Sequence, residues 1–290
     1  DGLDDSDEIN IHQTNPTVAD TDEDGLNDPD EVRITGTNPV EKDTDGDGTI
    51  DGDEDSDSDG LTDAEELNKH NTNPKVADID QDSLTDGEEI NFHKTNPTKS
   101  DTDGDGLLDG VEVTLLGTDP TLADTDGDGT IDGDEDSDSD GLTDAGELYT
   151  HHTNVHMLDS DLDGLGDGDE LTIHKTDPKR ADSDKDTLHD GFEINVLKSD
   201  PLTADSDGDG LDDDAEVWTH GTNPIAADTD GDGLSDSEEI ILETNPSLAD
   251  TDKDGLSDPD EINLLNTDPS ARDSDGDGID DGNEDSDSDG

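Results

Sequence analysis

Between Asp20 and Glu284 the chain spells D-x-D-x-D-[GST]-x-x-D-x-x-E thirteen times, so almost everything it can fold into is set by twelve-residue runs with carboxylates at positions 1, 3, 5, 9 and 12. That spacing wraps side-chain oxygens and one backbone carbonyl around a point, and a hard cation such as Ca²⁺ takes roughly six to eight oxygens in a flexible geometry. Asp101 to Glu112, DTDGDGLLDGVE, carries every element of the pattern.

The candidate metal ligands run loop by loop. They are Asp20, Asp22, Asp24, Asp28 and Glu31; Asp43, Asp45, Asp47, Asp51 and Glu54; Asp55, Asp57, Asp59, Asp63 and Glu66; Asp78, Asp80, Asp82, Asp86 and Glu89. The middle of the chain adds Asp101, Asp103, Asp105, Asp109 and Glu112; Asp124, Asp126, Asp128, Asp132 and Glu135; Asp136, Asp138, Asp140, Asp144 and Glu147; Asp159, Asp161, Asp163, Asp167 and Glu170. The remainder are Asp182, Asp184, Asp186, Asp190 and Glu193; Asp205, Asp207, Asp209, Asp213 and Glu216; Asp228, Asp230, Asp232, Asp236 and Glu239; Asp250, Asp252, Asp254, Asp258 and Glu261; Asp273, Asp275, Asp277, Asp281 and Glu284. Half-loops at the two ends contribute Asp1, Asp5 and Glu8, and Asp285, Asp287 and Asp289.

Composition alone would leave this chain disordered, with 91 Asp or Glu against 13 Lys or Arg, a net charge of -78 and 23% hydrophobic residues. Ordering a backbone costs roughly 1 to 2 kcal/mol per residue, and burying an aliphatic side chain returns roughly 1.5 to 3. Four or so aliphatic residues per repeat do not offset that entropy. Thirteen loops of five acids place 65 of the 91, so the charge is organised for cations to supply the missing stabilisation. One Ca²⁺ in each of the thirteen loops would bring the charge to -52 and two would bring it to -26, and the arithmetic leaves one or two per loop open. There is no cysteine, no apolar run near the roughly 20 residues of a membrane span, and no basic footprint for nucleic acid.

Loop starts recur mainly every 23 residues, with one step of 22 from Asp228 to Asp250. This is the mark of an array in which each unit touches its neighbours. The connector after each loop reads as a short helix and a turn. Asp258-Pro259-Asp260-Glu261, like Asp28-Pro29-Asp30-Glu31, casts the aspartate as N-cap with proline at the first helical position, and Thr-Asn-Pro or Thr-Asp-Pro stops the helix soon after.

At Asp43, Asp124 and Asp273 the next loop comes after only twelve residues, with no helix between. Thr49 to Ala64 and Thr130 to Ala145 are identical, an internal duplication offset by 81 residues. These double loops divide the chain into calcium-binding subarrays 1–54, 55–135 and 136–284, with 285–290 the start of a further repeat. Stiff and flexible joints are both compatible with the sequence. The two half-loops complete one another in register, so the chain reads as an excerpt of a longer array or as a unit that continues into a copy of itself in a fibre.

Within the loop, glycine at position 6 supplies a positive φ, and Ser83 and Thr187 break that rule, so the loops at Asp78 and Asp182 are expected to bind more weakly. Glutamate at position 12 has the reach for bidentate coordination, which favours Ca²⁺ over Mg²⁺. Because it also opens the connector, ion and helix should form together. Leucine at position 7 and the aliphatic residue after the glutamate are expected to form a miniature core per repeat. His12, His70, His93, His151, His174 and His220 lie four residues after such a glutamate. A second metal site or a pH response competes there with a plain cation at a helix C-terminus, and Thr35, Leu116 and Leu197 in the same slot favour the plain reading. With so little apolar sequence to build a pocket, the carboxylates are not expected to have their pKa values parted for catalysis.

The unit from Asp228 to Ala249, DTDGDGLSDSEEIILETNPSLA, resembles the bacterial thrombospondin type 3 repeat, and the resemblance extends over essentially the whole chain. It implies calcium held by the aspartates of D-x-D-x-D-G-L-x-D, here Asp228, Asp230, Asp232 and Asp236 with their equivalents, in extended stalks of secreted or cell-surface proteins. Animal relatives carry disulfides and this chain has none, which aligns it with the prokaryotic branch. The loops at Asp43 and Asp124 have Thr-Ile in place of Leu-x and resemble EF-hand or dockerin loops more closely.

The expected fold is therefore a solenoid-like, mostly irregular repeat. Tandem EF-hand-like DxDxDG loops alternate with helices of one to two turns, there is no conventional hydrophobic core, and the whole is an elongated rod or fibre. The expected function is non-enzymatic: a calcium-ordered extracellular stalk, spacer or filament whose partners are Ca²⁺ and neighbouring repeats of the same or identical chains, with no nucleic acid and no membrane insertion. A calcium reservoir or sensor, and a polyanion docking basic partners or mineral, are the alternatives.

Overall fold

A computed structural model describes residues 2–284; Asp1, Asp285, Asp287, Asp289 and the segment 285–290 lie outside the described residues. Every loop is shut by the same clasp. The ninth-position N–H donates to the carbonyl just before the loop, as from Asp28 to Ala19 at 2.8 Å, and the ninth-position carboxylate accepts both the N–H and the hydroxyl of the second residue, as from Thr21 at 2.8 Å each. That hydroxyl also accepts the N–H of Asn15 in the preceding Thr-Asn-Pro turn, at 2.9 Å. Position 2 is accordingly Thr or Ser in twelve of thirteen loops. Ile79 is the exception, and it leaves Asp86 Oδ2 without a partner.

Two positions of the loop are left-handed, not one. The sixth is, as expected (Gly25, φ 105), but so is the fourth, as at Glu23, Gln81 and Lys185 with φ of 63, 64 and 76. Ser83 and Thr187 adopt the sixth-position conformation at φ 87 and 84 despite their side chains.

The connectors are helical but not simple α-helices. Asp28–Asp30 is one α-helical segment, and the chain then runs as a π-helical turn over Glu31–Thr35, ended by Gly36 at φ 76, whose N–H donates to Glu31 O at 2.7 Å. Ten connectors among the described residues have this form. The 22-residue unit instead carries one continuous α-helix, Asp236–Leu242. A π turn is an α turn holding one extra residue, so the single missing residue of that unit is taken out of the helix and the loop is left intact. The N-caps also differ from expectation. Asp258 and Asp28 are the first helical residues, and the caps are Ser257 and Asn27. The aspartates are unavailable for capping because Thr251 and Thr21 occupy both their oxygens.

Asp51–Asp53, Asp132–Asp134 and Asp281–Asn283 are only short 3-10 turns, followed by extended backbone at Glu54, Glu135 and Glu284. Glu54 and Glu135 supply the carbonyls that clasp the next loops, to Asp63 and Asp144 N–H at 2.7 Å, and a residue in that role cannot also continue a helix. The double loop is therefore a geometric consequence of the twelve-residue step.

The interior is mostly carboxylate. Position-7 leucines such as Leu26, Leu84 and Leu107 are buried, while Val32, Leu67 and Ile90 after the glutamates are half-buried. Of the largest fully buried side chains, two are leucines and ten are position-12 glutamates. Successive repeats approach closely through glycine at loop position 10: Gly110 N–H donates to Asp82 Oδ2 at 3.2 Å, and a Cβ there would lie 2.2 Å from Asp82 O. Gly52, Gly87, Gly133, Gly168, Gly191 and Gly282 are equally confined by the fifth residue of the loop before. The second loops of the double loops at Asp43 and Asp124 have Ala64 and Ala145 at that position instead. At the first double loop, Asn68 donates to Gly25 O at 2.9 Å and Lys75 to Thr35 O at 2.7 Å, so hydrogen bonds cross that joint.

The contacts group into two compact units, Asp1–Glu135 with Thr143–Thr150, and Asp136–Leu142 with His151–Gly290. Among the described residues there is no strand, and no helix is long and apolar enough to cross a membrane.

Candidate metal centre

Each loop gathers its carboxylates by bending around its own amides. Asp20 accepts the N–H groups of positions 4 and 6 (Glu23 at 2.6 Å, Gly25 at 3.1 Å), and Asp24 accepts Leu26 N–H at 2.8 Å. The same bonds recur at Asp101, Asp159, Asp228 and Asp250. They turn positions 1, 3 and 5 inward, so Asp20, Asp22 and Asp24, like Asp43, Asp45 and Asp47 or Asp55, Asp57 and Asp59, bring oxygens within 4.8 Å of one another.

A second cluster is assembled from two repeats. Asp24 and Glu31 of one loop meet Asp51, the ninth residue of the next, and Asp59 and Glu66 meet Asp86 in the same way. The ninth-position aspartate was expected to complete its own loop. Here it braces that loop through its second residue and turns toward the cluster of the loop before. Sequence periodicity conceals this, because every repeat offers an identical residue at that position.

The glutamates carry the sharpest signal. In ten of the repeats with a helical connector, one glutamate oxygen accepts a hydroxyl from further along the chain, six residues on as from Thr95 to Glu89 at 3.0 Å and Ser199 to Glu193 at 2.9 Å, or five in the shorter unit, from Thr244 to Glu239. The other oxygen, Oε2 of Glu8, Glu31, Glu66, Glu89, Glu112, Glu170, Glu193, Glu216, Glu239 and Glu261, is buried with no hydrogen-bond partner, as is Oδ2 of third-position residues including Asp57, Asp103 and Asp207. Buried carboxylate oxygens are costly unless a proton or cation satisfies them. Burial pushes the Glu112 carboxyl up to about 8, with Asp105 and Asp103 adding to the rise against the Thr118 hydrogen bond. Glu31, Glu66, Glu89, Glu170, Glu193, Glu216 and Glu239 rise to about 8 for the same leading reason. An all-oxygen set of convergent, partly unsatisfied carboxylates fits Ca²⁺, the hard cation of flexible coordination.

The three loops without a helical connector are built differently. Glu54 and Glu135 are half-buried and Glu284 is exposed, and Asp45, Asp47, Asp126 and Asp128 lie in solvent. Ile131 and Ile279, the apolar residues of two of these loops, are 37% and 48% exposed. The six histidines end the π-helical turns at half-buried positions.

The family model described as "Bacterial TSP3 repeat" matches residues 1–19, 20–41, 55–77, 101–123, 159–181, 205–227, 228–249 and 250–270, more than half of the chain. No curated protein matches. Among solved structures, "Biofilm associated protein - BSP domain" is 41% identical over 15% of this chain and 8% of its own, with a TM-score of 0.15. "Biofilm associated protein - B domain" is 42% identical over 16% of this chain and 11% of its own, also with a TM-score of 0.15.

Proposed function

The chain belongs to the bacterial TSP3 repeat family, a structural calcium-binding repeat, and we propose that it is a non-enzymatic, calcium-ordered array serving as an extracellular stalk, spacer or filament segment of a surface or matrix protein. The observation that carries this reading is the row of buried, unpartnered glutamate oxygens, each held with a carboxylate of the following repeat where the clusters form. Ions at those points act as the interior that the side chains do not supply.

In this reading positions 1, 3 and 5 take one ion per loop. Position 5, the position-12 glutamate and the ninth aspartate of the next loop take a second ion wherever a stacked loop comes next. The second ion ties each repeat to its successor, so filling the sites straightens and stiffens the array. Millimolar extracellular calcium suffices even for sites of the 10⁻⁴ to 10⁻³ M class. A sensor would need an opening helix pair with a Met-rich groove, and Met157 is the chain's one methionine.

Small-angle scattering of the chain in calcium and in chelator tests the proposal. A fixed maximum dimension in calcium, giving way to a swollen coil without it, is expected. A coil under both conditions would remove the structural role, and an unchanged shape under both would remove the ion's part in it.

A further inference from the structure

Of the chain's four Phe, Tyr and Trp residues, two meet in one place. Phe192 and Trp218 stack with ring centroids 6.1 Å apart and planes 11° from parallel. Both break the repeat pattern at the slots that touch. Phe192 is at loop position 11, where the other twelve loops have Asp, Glu, Val, Gly, Ala or Asn, and Trp218 is two residues after Glu216, where Asn and Thr prevail. The stack bridges the junction at which Asp214 replaces the tenth-position glycine and Asp186 Oδ2 has no partner. Bridging uses only part of the indole, since Trp218 remains 68% exposed.

Beside the rings lies a groove of about 490 Å³, lined by Thr187, Leu188, His189 and Asn195 as well as the pair itself. Asp163 at its edge has both carboxylate oxygens committed, to Leu165 N–H at 2.7 Å and Gly191 N–H at 3.0 Å. No lysine or arginine lines the groove, and the chain's net charge, -78 without ions and still -26 with two Ca²⁺ in each of the thirteen loops, repels anions. An open π face without a cation of its own, in a strongly acidic field, selects a planar, weakly hydrated cation. Arginine meets that description, and the compact, strongly hydrated lysine ammonium meets it less well. A neutral sugar would gain from the ring but nothing from the field.

We propose that the Phe192–Trp218 groove docks an arginine side chain presented by a basic segment of a partner protein. This goes beyond calcium ordering and requires only that the repeats be folded.

Trp218 is the only tryptophan, so its fluorescence reports on the groove directly. The calcium-saturated full chain is titrated with an acetylated, amidated Gly-Arg-Gly-Arg-Gly peptide, with its lysine counterpart, and with cellotetraose. A saturable change is expected with the arginine peptide, about threefold to fivefold tighter than with lysine. Phe192→Ala should remove that margin at unchanged net charge while leaving the scattering profile and calcium stoichiometry as they were. If Phe192→Ala loosens the junction, Phe192→Leu keeps the packing volume without the ring and serves in its place. Equal affinity for both peptides, untouched by either substitution, would reduce the binding to diffuse polyanion attraction and overturn the proposal. Saturation by cellotetraose alone would reassign the groove to a sugar.

Discussion

Asp101–Glu112 and Asp124–Glu135 carry the same five carboxylates at the same spacing, yet the first is closed and the second open. In the first, Asp105 and Glu112 are buried, the glutamate is held by Thr118 at 3.1 Å, and Gly133 of the next loop donates to Asp105 Oδ2 at 3.1 Å. In the second, Asp126 and Asp128 are exposed and Glu135 lies on extended backbone at φ -68, ψ 160. The difference lies not in the ligands but in the stretch of chain just after them. A helix and a stacked loop cover the first, while the second runs at once into another loop. An open loop thus sets its ninth aspartate against carboxylates of the repeat before it, as Asp51 is set against Asp24 and Glu31.

The contrast is most easily broken at the twelfth position. Glu112→Ala removes the buried carboxylate that Asp105, Asp103 and Asp109 surround, a loss of about 3 kcal/mol or more by analogy with breaking a buried charge pair. Glu135→Ala, at a half-buried carboxylate on extended backbone, should cost about 1 kcal/mol or less. Thermal unfolding of both variants in calcium checks this, and equal losses would mean that the open loop is ordered by its glutamate after all.

Acidification separates the two kinds of loop next. A closed-loop glutamate with its carboxyl raised to about 8 must release a proton to take up calcium. Below that pH the affinity of closed loops should fall on the order of tenfold per unit. Without calcium the sign reverses. The raised carboxyls hold extra protons in the folded form, so the ion-free fold has its full stability below the ordinary glutamate value near 4.5 and loses it as pH rises through about 8. Glu54 and Glu135 are raised as well, by burial first and then by Asp45 and Asp126 respectively, but they are only half-buried and should contribute less to either trend. Calcium titrations at pH 6, 7 and 8 decide the point, and an affinity flat across that range would count against proton release at closed loops.

The tenth position sharpens the comparison at the level of packing. Gly110→Ala drives a Cβ against Asp82 O and should cost roughly 1 to 3 kcal/mol as overpacking. Ala64→Gly, in the second loop of a double loop, should cost no more than the ordinary glycine penalty of about 1 kcal/mol. Chemical denaturation in calcium would show it, and a harmless Gly110→Ala would mean that adjacent loops are not in contact there.

That glycine stands openly in the sequence, as does the hydroxyl at position 2, but neither announces the partner it needs. The carboxylate pattern, the period, the short connectors and the double loops are all local, and local spacing betrays them. What the pattern hides is which repeat a side chain serves. Asp51 and Asp28 are indistinguishable by position, and only the fold shows Asp51 turned to the loop before its own. The informative departures are Ala64 and Ala145, which stand at the tenth position of the second loop in the double loops at Asp43 and Asp124. The π-helical turns are hidden for a related reason: a 23-residue step does not say where its extra residue lies, and only the 22-residue unit with its plain α-helix locates it.

The smallest effect concerns closed loops of unequal quality. Thr187 holds φ 84, a region costly for a β-branched residue, and it gains in exchange one hydrogen bond from its hydroxyl to Asp214 Oδ2 at 3.2 Å. That bond joins exposed groups, so its loss is minor beside the strain relieved. Thr187→Gly should therefore stabilise the calcium-bound chain by about 0.5 to 1 kcal/mol, and Gly164→Thr in the loop before should destabilise it by more. If Thr187→Gly instead lowered the unfolding midpoint, the hydroxyl bridge to the next repeat, and not the backbone at position 6, would be the limiting feature of that junction.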